Sequence, residues 1–203
     1  MAMIINETNL QFGDLARRKS TIRAIIHHSA SGDVSAATIH GWHLNRGWSG
    51  IGYHFVIREG GSIERGRPLW AIGSHSGPAG NGDSIGIVLA GNFETGKPTS
   101  AQMDSLVWLI KDHLKPRFGN IDVMGHSDVM ATACPGKNFP WGELEKRLEE
   151  KPMPDDWKIK IMLEAAEKKL IDPNHGHEPD DVASKWFVLA AIINAIKFIK
   201  GGK

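Results

Sequence analysis

The sequence predicts an α/β fold, a mixed central β-sheet flanked by helices, followed by a small C-terminal α-helical hairpin. Three observations carry this. Arg23–His28 and Ser84–Leu89 are short runs rich in Ile, with Val in the second, of strand rather than helix length. Glu59-Gly60-Gly61-Ser62 joins an apolar segment, residues 52–58, to Ile63-Glu64-Arg65, as a hairpin turn would. Segments with helical spacing lie between and after these runs, so the two kinds of element are intermixed along the chain.

Taken in order, Arg23–His28 reads as a buried strand that runs into Ser-Gly punctuation at residues 29–32. Residues 36–45 place Ile39, Trp42 and His43 at helical spacing and stop before Gly47. Residues 73–83 hold Gly73, Gly77, Gly80, Gly82 and Pro78, too much punctuation for an element, and read as a loop. Ser84–Leu89 is nearly all apolar, as a strand covered on both faces should be. Thr99-Ser100-Ala101-Gln102 is a capped helix start, and the helix should run to residue 114 and end at Pro116. Val123-Met124-Gly125-His126 reads as a short strand that delivers a histidine, and residues 141–150 as a charged final helix.

Lys151-Pro152-Met153-Pro154 marks a boundary, giving a domain over 1–150 and a helical region over 151–203. Beyond it, Ile159, Met162, Leu163, Ala166 and Leu170 share one helical face, and Val182, Trp186, Leu189, Ile193 and Ile196 form a second stripe. A helix pair this small must bury its stripes against something. Three outcomes stay open: docking on the first domain, oligomerisation through these helices, or a separate binding module.

With 203 residues, 41% hydrophobic and 23% charged, the chain has the make-up of a soluble globular protein with one good core. A net charge of +1 gives no electrostatic grip on nucleic acid, so none is expected as a partner. The longest apolar stretch, residues 186–199, is broken by Asn194 and Lys197 and is shorter than the ~20 residues of a spanning helix. No stable membrane insertion is expected. The first residues lack a basic flank and a long apolar run, so the expectation is synthesis in the cytoplasm without a signal peptide.

Cys134 is the only cysteine and cannot form an internal disulfide. It lies eight residues after His126, and a histidine pair, His27-His28, closes the first apolar run. One thiol and two imidazoles form a borderline-soft set that suits zinc, with a fourth tetrahedral position left for water. On a strand, neighbouring side chains face opposite ways, so only one of His27 and His28 can reach the metal. His40 and His43, three apart on a helix, read instead as core-packing residues, and the glycines of residues 77–82 lack the Gly-Lys-Ser/Thr sequel of a phosphate loop.

Four separated motifs narrow the reading: Gly52-Tyr53-His54-Phe55-Val56-Ile57, Ile72-Gly73-Ser74-His75, Ser84-Ile85-Gly86-Ile87-Val88-Leu89-Ala90-Gly91, and the segment from His126 to Cys134. In this order they resemble the zinc-dependent N-acetylmuramoyl-L-alanine amidases of the phage-lysozyme (endolysin) and peptidoglycan-recognition-protein superfamily. The resemblance covers residues 20–150. It implies a peptidoglycan hydrolase that carries one Zn²⁺ per chain and acts on the bacterial cell wall. It also selects His27, the first of the pair, beside His126 and Cys134 as metal ligands. Tyr53, the only tyrosine, is implied as the donor to the reacting carbonyl, since the strand at residues 84–91 lacks the glutamate of a recycling branch.

Two further site residues follow from the resemblance. Thr132 stands where related phage enzymes often have lysine; it can donate a hydrogen bond but not a charge. His75 is implied as a substrate-binding residue. Many endolysins carry a wall-binding module after the catalytic domain, a role open to residues 151–203. The alternative is a non-catalytic peptidoglycan-recognition module; members that only bind tend to lack the cysteine ligand, and Cys134 is present.

Overall fold

In the computed structural model, the described residues are 3–150 and, beyond them, Ile193. The two helices expected over 151–203 lie outside the described residues, and the fold below belongs to the unit Met1–Glu150.

Six strands form one mixed sheet: β1 (Ile5–Asn6), β2 (Arg23–His28), β3 (Phe55–Ile57), β4 (Ile63–Arg65), β5 (Ser84–Leu89) and β6 (Asp122–Gly125). Their order is β1-β4-β3-β5-β2-β6, with β3 and β4 antiparallel and every other pair parallel. The apolar runs β2 and β5 pair at the centre over their full length, His27 opposite Val88, with every residue of β5 buried. Parallel central strands need cover on both faces, and helices supply it.

Alternation along the strands sorts the core into two layers. Ala24, Ile26, Phe55, Ile57, Ile85, Ile87 and Leu89 face α3 (Ser100–Trp108), where Met103 and Leu106 meet them. Val56 and Val88 face the other way, onto Ala36 and Ile39 of α1 (Ala36–Leu44). α1 starts where Ser35 Oγ accepts the Thr38 N–H and Glu64 accepts the Ala36 N–H. α3 starts at the expected capping box, with Thr99 and Gln102 bonded to each other's backbone.

The structure corrects three sequence readings and adds one strand that was not read. Residues 73–83 are not all loop: α2 (Gly77–Asn81) forms a short turn of helix, with Pro at its start, where a missing N–H costs nothing. The helix from Ser100 does not stop before Pro116. It widens into a π-helical stretch, Leu109–Leu114, and continues as α4 (Lys115–Phe118). Proline cannot donate to the preceding turn, and the i→i+5 bond from Lys115 N–H to Ile110 O lets the chain pass that gap. The strand expected over 52–58 is confined to Phe55–Ile57, leaving Tyr53 and His54 ahead of it. β1, only two residues long, carries too little pattern to be read from sequence. The last helix, α5 (Trp141–Glu149), lies where expected and buries Leu144.

Candidate active site

The sheet brings the candidate ligands to one end. His27 lies at the carboxyl end of β2 and belongs to the layer of Ile25 and Val88, the side covered by α1. His28, one residue on, faces the opposite layer, where its Nδ1 accepts the Phe93 N–H at 3.0 Å. β6 pairs with β2 as far as Gly125 opposite Ile26, so the next residue, His126, enters a 3-10 turn beside His27. The carboxyl ends of parallel strands are where open α/β sheets place ligands.

The loop from His126 to Cys134 is tied to itself. Asp128 accepts the Gly125 N–H at 2.7 Å, Cys134 O accepts the Ser127 N–H at 2.9 Å, and His126 O accepts the Met130 N–H at 3.2 Å. Thr132 Oγ1 accepts the Cys134 N–H at 3.2 Å, so the exposed threonine helps set the backbone of the cysteine. These bonds turn the chain so that one donor atom each of His27, His126 and Cys134 lies within 4.8 Å of the other two. The His27 and His126 ring centroids are 4.5 Å apart, and His27 Nδ1 is 3.6 Å from Cys134 Sγ.

Burial sets the protonation states of the three candidate ligands. Burial holds His27 well below its usual pKa, with His126 and His28 adding to the shift, and burial also lowers His126. Both rings are therefore neutral and offer lone pairs. Burial pushes the Cys134 thiol up to about 11, against an opposing effect from the His28 backbone. A metal ion would reverse that, since a coordinated thiol is deprotonated. His126 Nε2 is buried without a hydrogen-bond partner among the described residues. An orphaned ring nitrogen beside a second imidazole and a thiol is what a tetrahedral N/S cation site requires.

Tyr53 stands over this cluster, its ring centroid 5.0 Å from that of His27. Burial, with Cys134 adding to it, raises its pKa, so the phenol keeps its proton and can donate a hydrogen bond. The segment before it is fixed by α1. His40 Nδ1 accepts the Ile51 N–H at 3.1 Å and His43 Nδ1 accepts the Gly52 N–H at 2.9 Å. Burial, with Arg46 next, lowers His43 to about 4, so it stays an acceptor at neutral pH. Gly52 admits no side chain, because a Cβ there would lie 1.9 Å from Ser74 O. His75 is buried beneath His27, with its Nδ1 3.0 Å from His27 Nε2.

Comparisons with known proteins supply the family. A family model described as N-acetylmuramoyl-L-alanine amidase matches residues 18–137, more than half of the chain. The chain belongs to this amidase family. The amidase is 38% identical over 127 residues to the endolysin of Klebsiella phage KP32, spanning 59% of this chain and 83% of that one. The Escherichia phage T7 endolysin matches at the same identity and coverage. A peptidoglycan-recognition protein, SC2 of Drosophila simulans, is 33% identical over 132 residues, 60% of this chain and 71% of its own. Among solved structures, the amidase LysC from Clostridium intestinale is 39% identical with a TM-score of 0.69, covering 74% of this chain and all of that one. The resemblance read from four motifs is borne out, and with it N-acetylmuramoyl-L-alanine amidase activity.

Sequence reading missed part of the amidase site. His40 and His43 do pack inside the fold, yet each also holds a backbone amide in the approach to Tyr53; their spacing on one helix was the available signal. Ser76 and Asn81, which also contact His75, carried none.

Proposed function

We propose that the amidase is a zinc-dependent, endolysin-type peptidoglycan hydrolase that cuts the amide between N-acetylmuramic acid and the L-alanine of the stem peptide. The observation that carries this is the convergence of His27, His126 and Cys134 within 4.8 Å, with His126 Nε2 otherwise unpartnered. These three residues would hold one Zn²⁺, whose chemistry is to polarise a carbonyl and to make water nucleophilic near neutral pH. Cys134 supplies the anionic ligand, and the neutral rings of His27 and His126 complete the set. Tyr53, protonated and beside His27, donates to the carbonyl oxygen as negative charge builds on it. Thr132, exposed on the same loop, uses its oxygen on the Cys134 N–H and keeps its own proton to offer the substrate. The substrate is bacterial peptidoglycan and the place of action is the cell wall. No helix among the described residues is long and apolar enough to cross a membrane.

The test is the identity of the bond cut in purified peptidoglycan. New L-alanine amino termini, lost on chelation and restored by zinc, are expected. New reducing sugar ends would overturn the assignment, as would tight binding without cleavage, the behaviour of a recognition module.

A further inference from the structure

We propose that His75 is a positioning residue for His27: it selects which ring nitrogen His27 presents to the metal and locks that ring in place. The inference rests on the metal-binding reading of the proposed function.

His27 has two ring nitrogens, and the structure gives them different neighbours. Nδ1 faces Cys134 Sγ at 3.6 Å, on the ligand side. Nε2 faces away, 3.0 Å from His75 Nδ1 and 3.3 Å from Ser76 Oγ. An imidazole that ligates through Nδ1 must carry its proton on Nε2, and that proton needs an acceptor. His75 Nδ1 is the nearer acceptor, at 3.0 Å against 3.3 Å for Ser76 Oγ, and Ser76 Oγ lies 2.8 Å from His75 Nδ1 in turn. His75 must then hold its own proton on Nε2, which faces Ser84 Oγ at 3.4 Å, and Ser84 Oγ–H donates to Gly80 O. This proton arrangement gives each ring nitrogen of the row a partner, running from the ligand to a backbone carbonyl.

The His75 ring is itself held in a slot. Its backbone N–H and that of Ser76 both donate to Asn81 Oδ1 at 2.8 Å. A Cβ on Gly73 would come within 2.4 Å of the ring, and one on Gly86 within 2.5 Å, so the slot exists only because both positions are glycine. This ties together residues that the motifs place far apart: Gly73 and His75 in one, Ser84 and Gly86 in another. It also gives His75 a task other than direct substrate contact, since its ring is buried and both nitrogens face partners within the protein.

The experiment compares two planar replacements in the full-length protein. In His75→Asn the amide oxygen can occupy the place of Nδ1, whereas His75→Gln reaches the place of Nε2 and leaves His27 without its acceptor. Each protein is stripped with a chelator and its zinc affinity read by competition with a chromophoric chelator. Circular dichroism of the metal-free proteins identifies a variant that has simply unfolded. His75→Gln should bind zinc about 10–100-fold more weakly than the wild type. His75→Asn should stay within a few-fold of wild type. Equal zinc affinity in wild type and His75→Gln, with only KM raised, would overturn the inference and return His75 to substrate binding. Equal losses in both folded variants would overturn it too, because packing alone would then explain the effect. A wild type that binds no zinc would sink the metal reading itself, which separates the two failures.

Discussion

At the scale of residues, Cys134 would bring the one anionic donor to the proposed metal site, and its removal should be felt first in metal content. Cys134→Ser offers a hydroxyl that ionises far less readily than a thiol. Zinc per chain should fall well below one and hydrolysis should be nearly abolished, with far-ultraviolet circular dichroism unchanged; metal analysis and a turnover assay check both. Tyr53→Phe removes only an oxygen. It should retain zinc and lose about 10²–10³-fold in kcat, the size of a missing oxyanion donor. How much of this was legible depended on what each residue asks of the chain. Strand alternation alone required that only one of His27 and His28 face the ligand side, but choosing His27 needed the resemblance, because the pattern does not say which layer faces the cleft. Cys134 stood out by being alone, and His126 by ending an apolar run. The chain of His75, Ser76, Asn81 and Ser84 could not be read, since it is made by contacts between segments rather than by any local pattern.

At the scale of elements, the site depends on how α1 holds the residues before β3. Gly52 is the sharpest instance. Gly52→Ala would drive a methyl group into Ser74 O, so the approach to Tyr53 must move. The expected result is a folded protein with normal zinc content, a stability loss of about 1–3 kcal/mol from overpacking, and a kcat lowered toward that of Tyr53→Phe. Denaturant titration and steady-state kinetics together check this. Thr99→Ala is the contrasting case. It breaks the α3 capping box far from the ligands and should cost about 1 kcal/mol of stability with kcat unmoved. The strands and the capped helix were legible because apolar runs and caps are local signals. α2 and the π-helical stretch were not, because Pro78 and Pro116 signal a break and the surrounding packing decides whether the chain turns or continues.

At the scale of the whole molecule, the buried histidines make the fold sensitive to acid. His54 is fully buried, its Nδ1 accepting the Gly86 N–H at 2.9 Å; burial, with Arg18 next, lowers its pKa to about 3. The unfolded chain takes up this proton near pH 6.5, while the folded chain resists it until near 3. Stability from the neutral ring is therefore complete above 6.5 and is lost as pH falls toward 3, at about 1.4 kcal/mol per pH unit for such a group. His27, His43 and His75 are shifted in the same direction. The thermal midpoint of the metal-free protein should fall between pH 7 and pH 5; a flat profile there would contradict the assignment of these rings as neutral. Truncation after Lys151 addresses the other large-scale question. The shortened protein should fold, bind zinc and cut soluble muropeptides at nearly the full rate, while losing activity on intact walls. Equal activity on both substrates would remove any targeting role from residues 151–203.

The most direct test of the account is a zinc titration of chelator-stripped protein with cleavage of the muramoyl–alanine amide as the readout. Activity should be absent in the stripped protein, rise linearly with added zinc, and level off at one equivalent per chain, with Cys134→Ser showing no such rise. Full hydrolysis by the stripped protein, or recovery by Cys134→Ser at the same single equivalent, would contradict a catalytic site built from His27, His126 and Cys134.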